Sequence, residues 1–502
     1  MSLKRFVAEQ LGLTASAPSA DSVLSRRKML LGGAAAFAAV SARPPQARAV
    51  PPGSANRFLV DRITFGWTPE EQNQADSLGY HEYLERQLDY HSIDDSAMEA
   101  RLESYEMLDY IPYHMHNLVN VSVAYRQLYE ATILRAVQSK RQLYQRMVEF
   151  WTDHFNINLF SGECAWIKNW DDKNVIRVHA LGSFRELLSA SMHSACMLHY
   201  LNNELSVWWG PNENYARELM ELHTLGVDGG YTQQDVVEVA RCLTGWDFHR
   251  PDNYDRQMFR FAANHHDFDA KTVLGHAIPA GQGIEDGEMV CDILASHPST
   301  ARYLATKLCR KFWSENPPVT LIDAVTATYT ATDGDIKAML RTLFTTLDPS
   351  LAGPKFKRPF HLVVSALRAT KASYETTGAE PSVALFNRLA NMGHLPFNWA
   401  PPDGYPDRAD FWVGSPLTRW NFAARLVNGN ITYLSVDPAA FFATAATADQ
   451  LMGQIQAKLF GGRLTAEERN LIRDYLATDP ASPSIRLEAI GLALAAPSFQ
   501  WY

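Results

Sequence analysis

The chain has 502 residues, 46% hydrophobic and 20% charged, with a formal net charge of −9. That supplies a sizeable core for one large domain or two to three ordinary ones, and it excludes an intrinsically disordered chain. The acidic balance, without any basic run or basic–aromatic interleaving, argues against nucleic-acid binding. With 12 Trp, 20 Tyr and 24 Phe, the chain can fill a core and still expose rings as stacking platforms for sugars or other flat ligands.

The first 49 residues read as an address. Ser25-Arg26-Arg27-Lys28-Met29-Leu30-Leu31 carries paired arginines ahead of a short Ala/Gly-rich apolar stretch, and Ala47-Arg48-Ala49 offers small–x–small cleavage chemistry. The pattern predicts a twin-arginine signal behind a polar extension, cleavage after Ala49, passage through the twin-arginine translocase, and a periplasmic or secreted mature protein. The apolar run is too short for a stable membrane span. Export in the folded state by that route often accompanies a cofactor loaded inside the cell.

A helical pattern begins at Asn56, and Thr68-Pro69-Glu70-Glu71 has the capping signature of another helix start, with Pro at its first position. Further helices are expected over 80–90, 94–108 and 117–138. In Arg146-Met147-Val148-Glu149-Phe150-Trp151-Thr152-Asp153-His154, the two carboxylates are four residues apart and share a helix face. They repel unless a cation lies between them, and Arg146 or a metal could serve. His154 beside them is either a core histidine or a ligand or acid–base group.

A helix is expected over 174–192. The next one, over 212–225, opens at Pro211-Asn212 and stops at Gly226. Tyr215, Leu219 and Leu222 form its apolar face, while Asn214, Arg217, Glu218 and Glu221 form an adjoining polar stripe. Thr232-Gln233-Gln234-Asp235 caps a helix that runs through Leu243 and ends at Thr244-Gly245-Trp246. Residues 247–283 are loop-rich, with room for a short hairpin. There His265, His266 and Asp267 have the donor chemistry of Zn, Fe or Mn ligands, with Lys271 close behind. Helices resume from 285. The segment 391–415, with Trp399-Ala400-Pro401-Pro402-Asp403-Gly404-Tyr405, is aromatic, Pro-rich and irregular, a composition common in functional loops. Helices return at 417–428, 447–460, 465–477 and 484–495. Five widely spaced cysteines show no metal spacing, and one disulfide is open to them without a choice of pair.

There is no dinucleotide, Walker, nucleophile-elbow or HExxH motif, and the central helix lacks the Glu-x-x-His pairs of di-iron bundles. Several stretches together resemble the bacterial family catalogued as domain of unknown function 1800. They are Asn56 to Gly66, Glu149 to Phe155, Asn212 to Gly226, Tyr231 to Trp246, His266 to Gly275, and Lys357-Arg358-Pro359. The specific one is Asn212-Glu213-Asn214-Tyr215-Ala216-Arg217-Glu218-Leu219. The resemblance covers residues 50–502 as one domain and implies an exported, mainly α protein. It also implies a possible partner of the sulfatase-like family catalogued as domain of unknown function 1501, which is commonly encoded alongside. One departure is Tyr405, where the family usually has Trp.

The fold expected is therefore a large multi-helix globular domain, mainly α, with long irregular loops and at most a short hairpin. Two functions compete. One is an exported enzyme, either metal-dependent or acid–base, acting on an extracytoplasmic substrate such as a glycan. Its catalytic candidates are Glu149, Asp153, His154, Arg217, Glu218 and Glu221. Its substrate-binding candidates are Asn214, Trp246, Lys271, Trp399 and Tyr405. A hypothetical divalent metal would take His154, Glu218, Glu221, His265, His266 and Asp267. The other is a non-catalytic exported binding or assembly protein, in which Arg217–Glu221 and Arg146–Glu149 are structural ion pairs.

Overall fold

The computed structural model describes residues 55–118, 120–249, 258–378, 383–414 and 416–502. The stretch expected to be a signal segment, with its expected cleavage site and polar extension, lies outside the described residues. Among the described residues the fold is mainly α, with short strands only. Trp246–Phe248 pairs with Phe259–Phe261, Lys271–Val273 with His276–Ile278, and Ser373–Tyr374 with Leu434–Ser435, all antiparallel. Two of these pairs fall in the stretch where one short hairpin was expected. No helix among the described residues is long and apolar enough to cross a membrane.

Helix boundaries follow cap chemistry where the caps are strong. Thr232 and Asp235 form a reciprocal capping box at the start of Gln233–Cys242, and Thr465 with Glu468 does the same for Ala466–Leu476. The expected helix over 174–192 is broken instead. A helix from Cys164 to Asp171 continues as a π-helical turn to Arg177, and a new helix runs from Phe184 to Met192. Between them, Gly182 and Phe184 bond Ile336 and Gly334, which an unbroken helix could not do. The central helix also changes pitch. Glu213–Glu218 is α-helical and Leu219–Thr224 is a π turn. The wider turn leaves Leu222 only half-buried and carries His223 and Thr224 inside.

Two large apolar clusters fill the molecule. One joins elements between Phe58 and Ala352, and the other joins the Val121–Gln138 and Pro359–Thr370 helices to most of the C-terminal third. The Gln142–His154 helix packs Leu143, Met147, Val148, Phe150 and Trp151 into the first cluster. Its remaining face, with Arg146, Glu149 and Asp153, looks onto the start of the Pro359–Thr370 helix. A third, small aromatic cluster of Phe356, Tyr405 and Trp412 underlies the aromatic loop. The polar seam among these three clusters is where the sequence candidates on the Gln142–His154 helix meet partners.

Candidate functional site

Arg358 is the hinge of the seam. It is the residue immediately before Pro359, which opens its helix. One guanidinium nitrogen donates to Glu149 Oε1 at 2.5 Å and the other to Asp153 Oδ2 at 2.6 Å. Glu149 also accepts from Lys311 Nζ at 2.9 Å and from Arg146 at 3.3 Å. A lone cation at a helix N-terminus opposes the macrodipole, so Arg358 needs these acids. Lys307 and Lys311 lie four apart on the Pro298–Phe312 helix. They mirror the 149/153 pair, and one cation-bearing face meets one acidic face.

That match is uneven. Three cations hold the Glu149 carboxyl well below its ordinary range despite burial. Asp153 makes one ion pair among the described residues, with Arg358, and burial with the neighbouring Glu149 charge keeps its carboxyl above the ordinary value. Lys307 reaches no carboxylate within 4.0 Å among the described residues. Its amine donates instead to His154 Nδ1 at 2.9 Å. His154 Nε2 lies 3.0 Å from the His223 carbonyl, which fixes that nitrogen as the protonated one and leaves Nδ1 to accept. Burial lowers Lys307 to about 8, and burial with the Lys307 charge keeps His154 neutral.

The aromatic loop closes over this corner. Asn156 Nδ2 donates to the carbonyls of Trp399 and Pro401 at 3.0 and 2.7 Å, and the Tyr200 hydroxyl donates to that of Ala400 at 2.7 Å. Gly404 has φ +75°, and a Cβ there would sit 2.0 Å from the Asp153 carbonyl oxygen, so only glycine fits. Trp399 Nε1 donates to exposed Asp403 at 2.7 Å. Tyr405 is buried, its hydroxyl spent on the Leu395 carbonyl at 2.7 Å, and its ring packs on His394 and Trp412. A cavity of about 40 Å³, room for one or two waters, lies along Gln145, Glu149, Thr152 and Asp153 on one side and Arg177 and Phe397 on the other.

From the central helix, Glu218 faces the same neighbourhood. It has no cation within 4.0 Å among the described residues. Burial, then the charges of Glu221 and Asp403, raise its carboxyl. Arg217 turns away, donating to Glu213 at 3.0 Å and Gln233 at 2.8 Å, with Glu221 at 3.5 Å. Asn214 donates to the Leu201 carbonyl at 3.0 Å in the local cap.

The other candidates stand elsewhere. Trp246 is fully buried against Gly287, where an added Cβ would clash with its ring, so it is a core side chain. Lys271 is buried and anchors the second hairpin through Asp286 at 2.6 Å and the Asp269 carbonyl at 2.8 Å. His266 spends Nδ1 on the Thr244 carbonyl at 2.7 Å and Nε2 on Asp286 at 3.1 Å. Asp267 pairs with Arg241 at 2.8 Å, and His265 packs edge-on to Trp209. The hypothetical metal set is thus divided between that corner and the second hairpin, with His154 and His266 already committed at both ring nitrogens. Among the described residues no group of three or more His, Cys, Asp and Glu is arranged to hold a metal ion.

Sequence reasoning passed over Arg358, Lys307, Lys311 and His223. The i,i+4 lysine pair within the apolar pattern of 300–312 was the available signal. His223 gave none, because α-helical phasing does not anticipate the π turn.

Fold and site together define a large α-helical protein with a strapped, partly open corner of acids, a lysine and neutral histidines. The sequence matches the family described as protein of unknown function (DUF1800) over residues 58–501, and the chain belongs to that family. No curated protein and no solved structure matches it.

Proposed function

We propose that the chain is an exported acid–base enzyme whose reacting groups are Lys307, His154, Asp153 and Glu218, acting on a polyhydroxylated, glycan-type substrate. One observation carries the reading. Lys307 is a partly buried amine with no carboxylate within 4.0 Å among the described residues, held against a neutral histidine and lowered to about 8, where an amine serves as a base near neutral pH. Asp153 and Glu218, both raised above the ordinary carboxyl value, are the candidate proton donors. Trp399 and Asp403 at the loop rim supply a ring and a hydrogen-bond acceptor of the kind that seat sugars. Export rests on the paired arginines at 26 and 27.

The test is a screen of the purified mature chain against polysaccharides and peptidoglycan fragments, with Lys307→Met and Glu218→Gln alongside. We expect wild-type turnover, a loss of at least about 100-fold in each variant, and unchanged thermal unfolding. Turnover that survives both substitutions overturns the assignment.

A second reading, an exported binding protein working with a sulfatase-like partner, draws on a separate observation. Trp208 and Trp209 are 56% and 62% exposed, beside Leu205 at 59%. Rings so open on a rigid turn are interface material. Trp208→Ala/Trp209→Ala should abolish capture of such a partner while leaving thermal unfolding unchanged.

A further inference from the structure

All five cysteines lie within the described residues, all are buried, and none is bonded to another. Two of them are in reciprocal contact. The Cys164 thiol points at the Cys196 carbonyl, 3.8 Å away, and the Cys196 thiol points at the Cys164 carbonyl, 4.0 Å away. Among the described residues no other two cysteines approach each other in this way. Cys291, for comparison, directs its thiol at the Arg185 carbonyl.

The surroundings hold this pair in place. Cys164 opens the helix Cys164–Asp171, and Cys196 lies in the first turn of Ala195–Tyr200. Glu163 N–H donates to His199 Nε2 at 2.9 Å, and His199 Nδ1 donates to Glu204 at 3.0 Å. Gly162 packs so closely on the His199 ring that a Cβ would lie 2.2 Å from Nε2. The Ser194 hydroxyl donates to Asp171 at 2.6 Å at the far end of the Cys164 helix. Two helix starts are thus clamped together, with each sulfur against the backbone of the other cysteine. A disulfide needs two cysteines held this near each other.

We propose that Cys164 and Cys196 form a disulfide when the chain folds in the presence of a low-molecular-weight disulfide or a thiol oxidase. The exchange balances without further partners. One thiolate attacks the disulfide R–S–S–R, releasing R–SH and leaving Cys–S–S–R. The second cysteine then attacks as thiolate, forming Cys164–S–S–Cys196 and releasing a second R–SH. The two cysteine sulfurs give up two electrons and two protons, and R–S–S–R takes them. Burial, with the neighbouring Cys164, pushes the Cys196 thiol well up, so exchange belongs to the folding chain and not to the finished core.

The bond would close a loop between positions 32 apart. That loop contains the Cys164–Asp171 helix, and it starts one short segment after Asp153 and His154. At its other end it fixes the helix carrying Tyr200, which straps the aromatic loop. The inference does not depend on the proposed reaction.

The experiment counts thiols. The full chain is isolated from an oxidising extracytoplasmic compartment, denatured, and alkylated with N-ethylmaleimide before and after reduction. The expected result is three alkylated cysteines before reduction and all five after it, with one disulfide-linked peptide pair containing Cys164 and Cys196. Cys164→Ser and Cys196→Ser should each give four alkylated cysteines and no intrachain link. Reductant should lower the thermal midpoint of the wild type and leave that of Cys164→Ser/Cys196→Ser unmoved. Five alkylated cysteines before reduction, or a link to Cys242, Cys291 or Cys309, overturns the proposal.

Discussion

The two ends of the Gln142–His154 acidic face differ in how completely they are paired. At Glu149, one buried carboxylate meets Arg358, Lys311 and Arg146, and Arg146 is itself held by His361 and the Tyr502 hydroxyl. One turn on, Asp153 shares its one ion-pair partner among the described residues with Glu149, and Lys307 meets a neutral histidine where a carboxylate would be expected. A saturated ion network in low dielectric is a fixed structural joint, costly to break. An under-paired one retains groups whose protonation responds to a ligand. That contrast, and not the charge count, separates scaffold from candidate chemistry here.

Acid should expose both ends at once. His361 and His394 stand on the saturated side, and His154 and His223 on the open side. All four are buried and held neutral, His223 at about 3. Burial is the leading cause in each, with Arg146 next for His361, Arg358 for His394 and Lys307 for the other two. Their folded pKa values lie below the unfolded value, so below about 6.5 the unfolded chain takes up protons that the folded chain refuses. Stability is then lost as pH falls, with a limiting slope of about 1.4 kcal/mol per pH unit for each histidine. Asp153 and Glu218, raised on folding, oppose part of this loss. Urea midpoints at pH 7, 6 and 5 should fall steeply, with net uptake of at least two protons on unfolding. A flat profile would mean that these histidines are solvated.

Arg358→Ala tests the saturated joint directly. It strands Glu149 beside two remaining cations and removes the one ion pair Asp153 makes among the described residues, at a cost of about 3–5 kcal/mol. Arg358→Lys should recover part of it, because one ammonium cannot bridge two carboxylates as the planar guanidinium does. Denaturant unfolding of both variants gives the comparison, and equal losses would contradict bidentate bridging.

The fold class was legible because caps and apolar periodicity are local. Thr232 with Asp235, and Thr465 with Glu468, announce their helices within four residues. The acidic pair at 149 and 153 announced a need for positive charge for the same reason. What answered that need was not legible. Arg358 comes from a segment about 200 positions away, and the choice between it and Arg146 or a metal is made by tertiary packing. The π turn at Leu219–Thr224 is likewise invisible to a 100° wheel. It is why Leu222 lies half out and His223 within. Gly404 belongs to the same class. Its sequence context marks a turn, but only the Asp153 carbonyl beneath it makes glycine obligatory. Gly404→Ala should cost at least about 2 kcal/mol, from positive φ together with a backbone clash. It should also loosen Trp399 and Asp403, which intrinsic Trp fluorescence can follow. A neutral outcome would show that the loop lifts freely from Asp153.

The smallest effect is the most instructive about the family signature. Arg217 sits in its most specific run of residues, yet its guanidinium is 36% exposed and its partners Glu213 and Glu221 are partly open as well. Exposed i,i+4 pairs of this kind are worth no more than about 0.5 kcal/mol each. Arg217→Ala should therefore shift the unfolding free energy by less than about 1 kcal/mol, while Glu218→Gln, one position on, should leave stability similar and lower the proposed turnover at least about 100-fold. A large stability loss in Arg217→Ala would place the signature helix with the Glu149 joint. A small one keeps Glu218, with its raised carboxyl and no ion pair within 4.0 Å among the described residues, as the helix's candidate for the proposed chemistry.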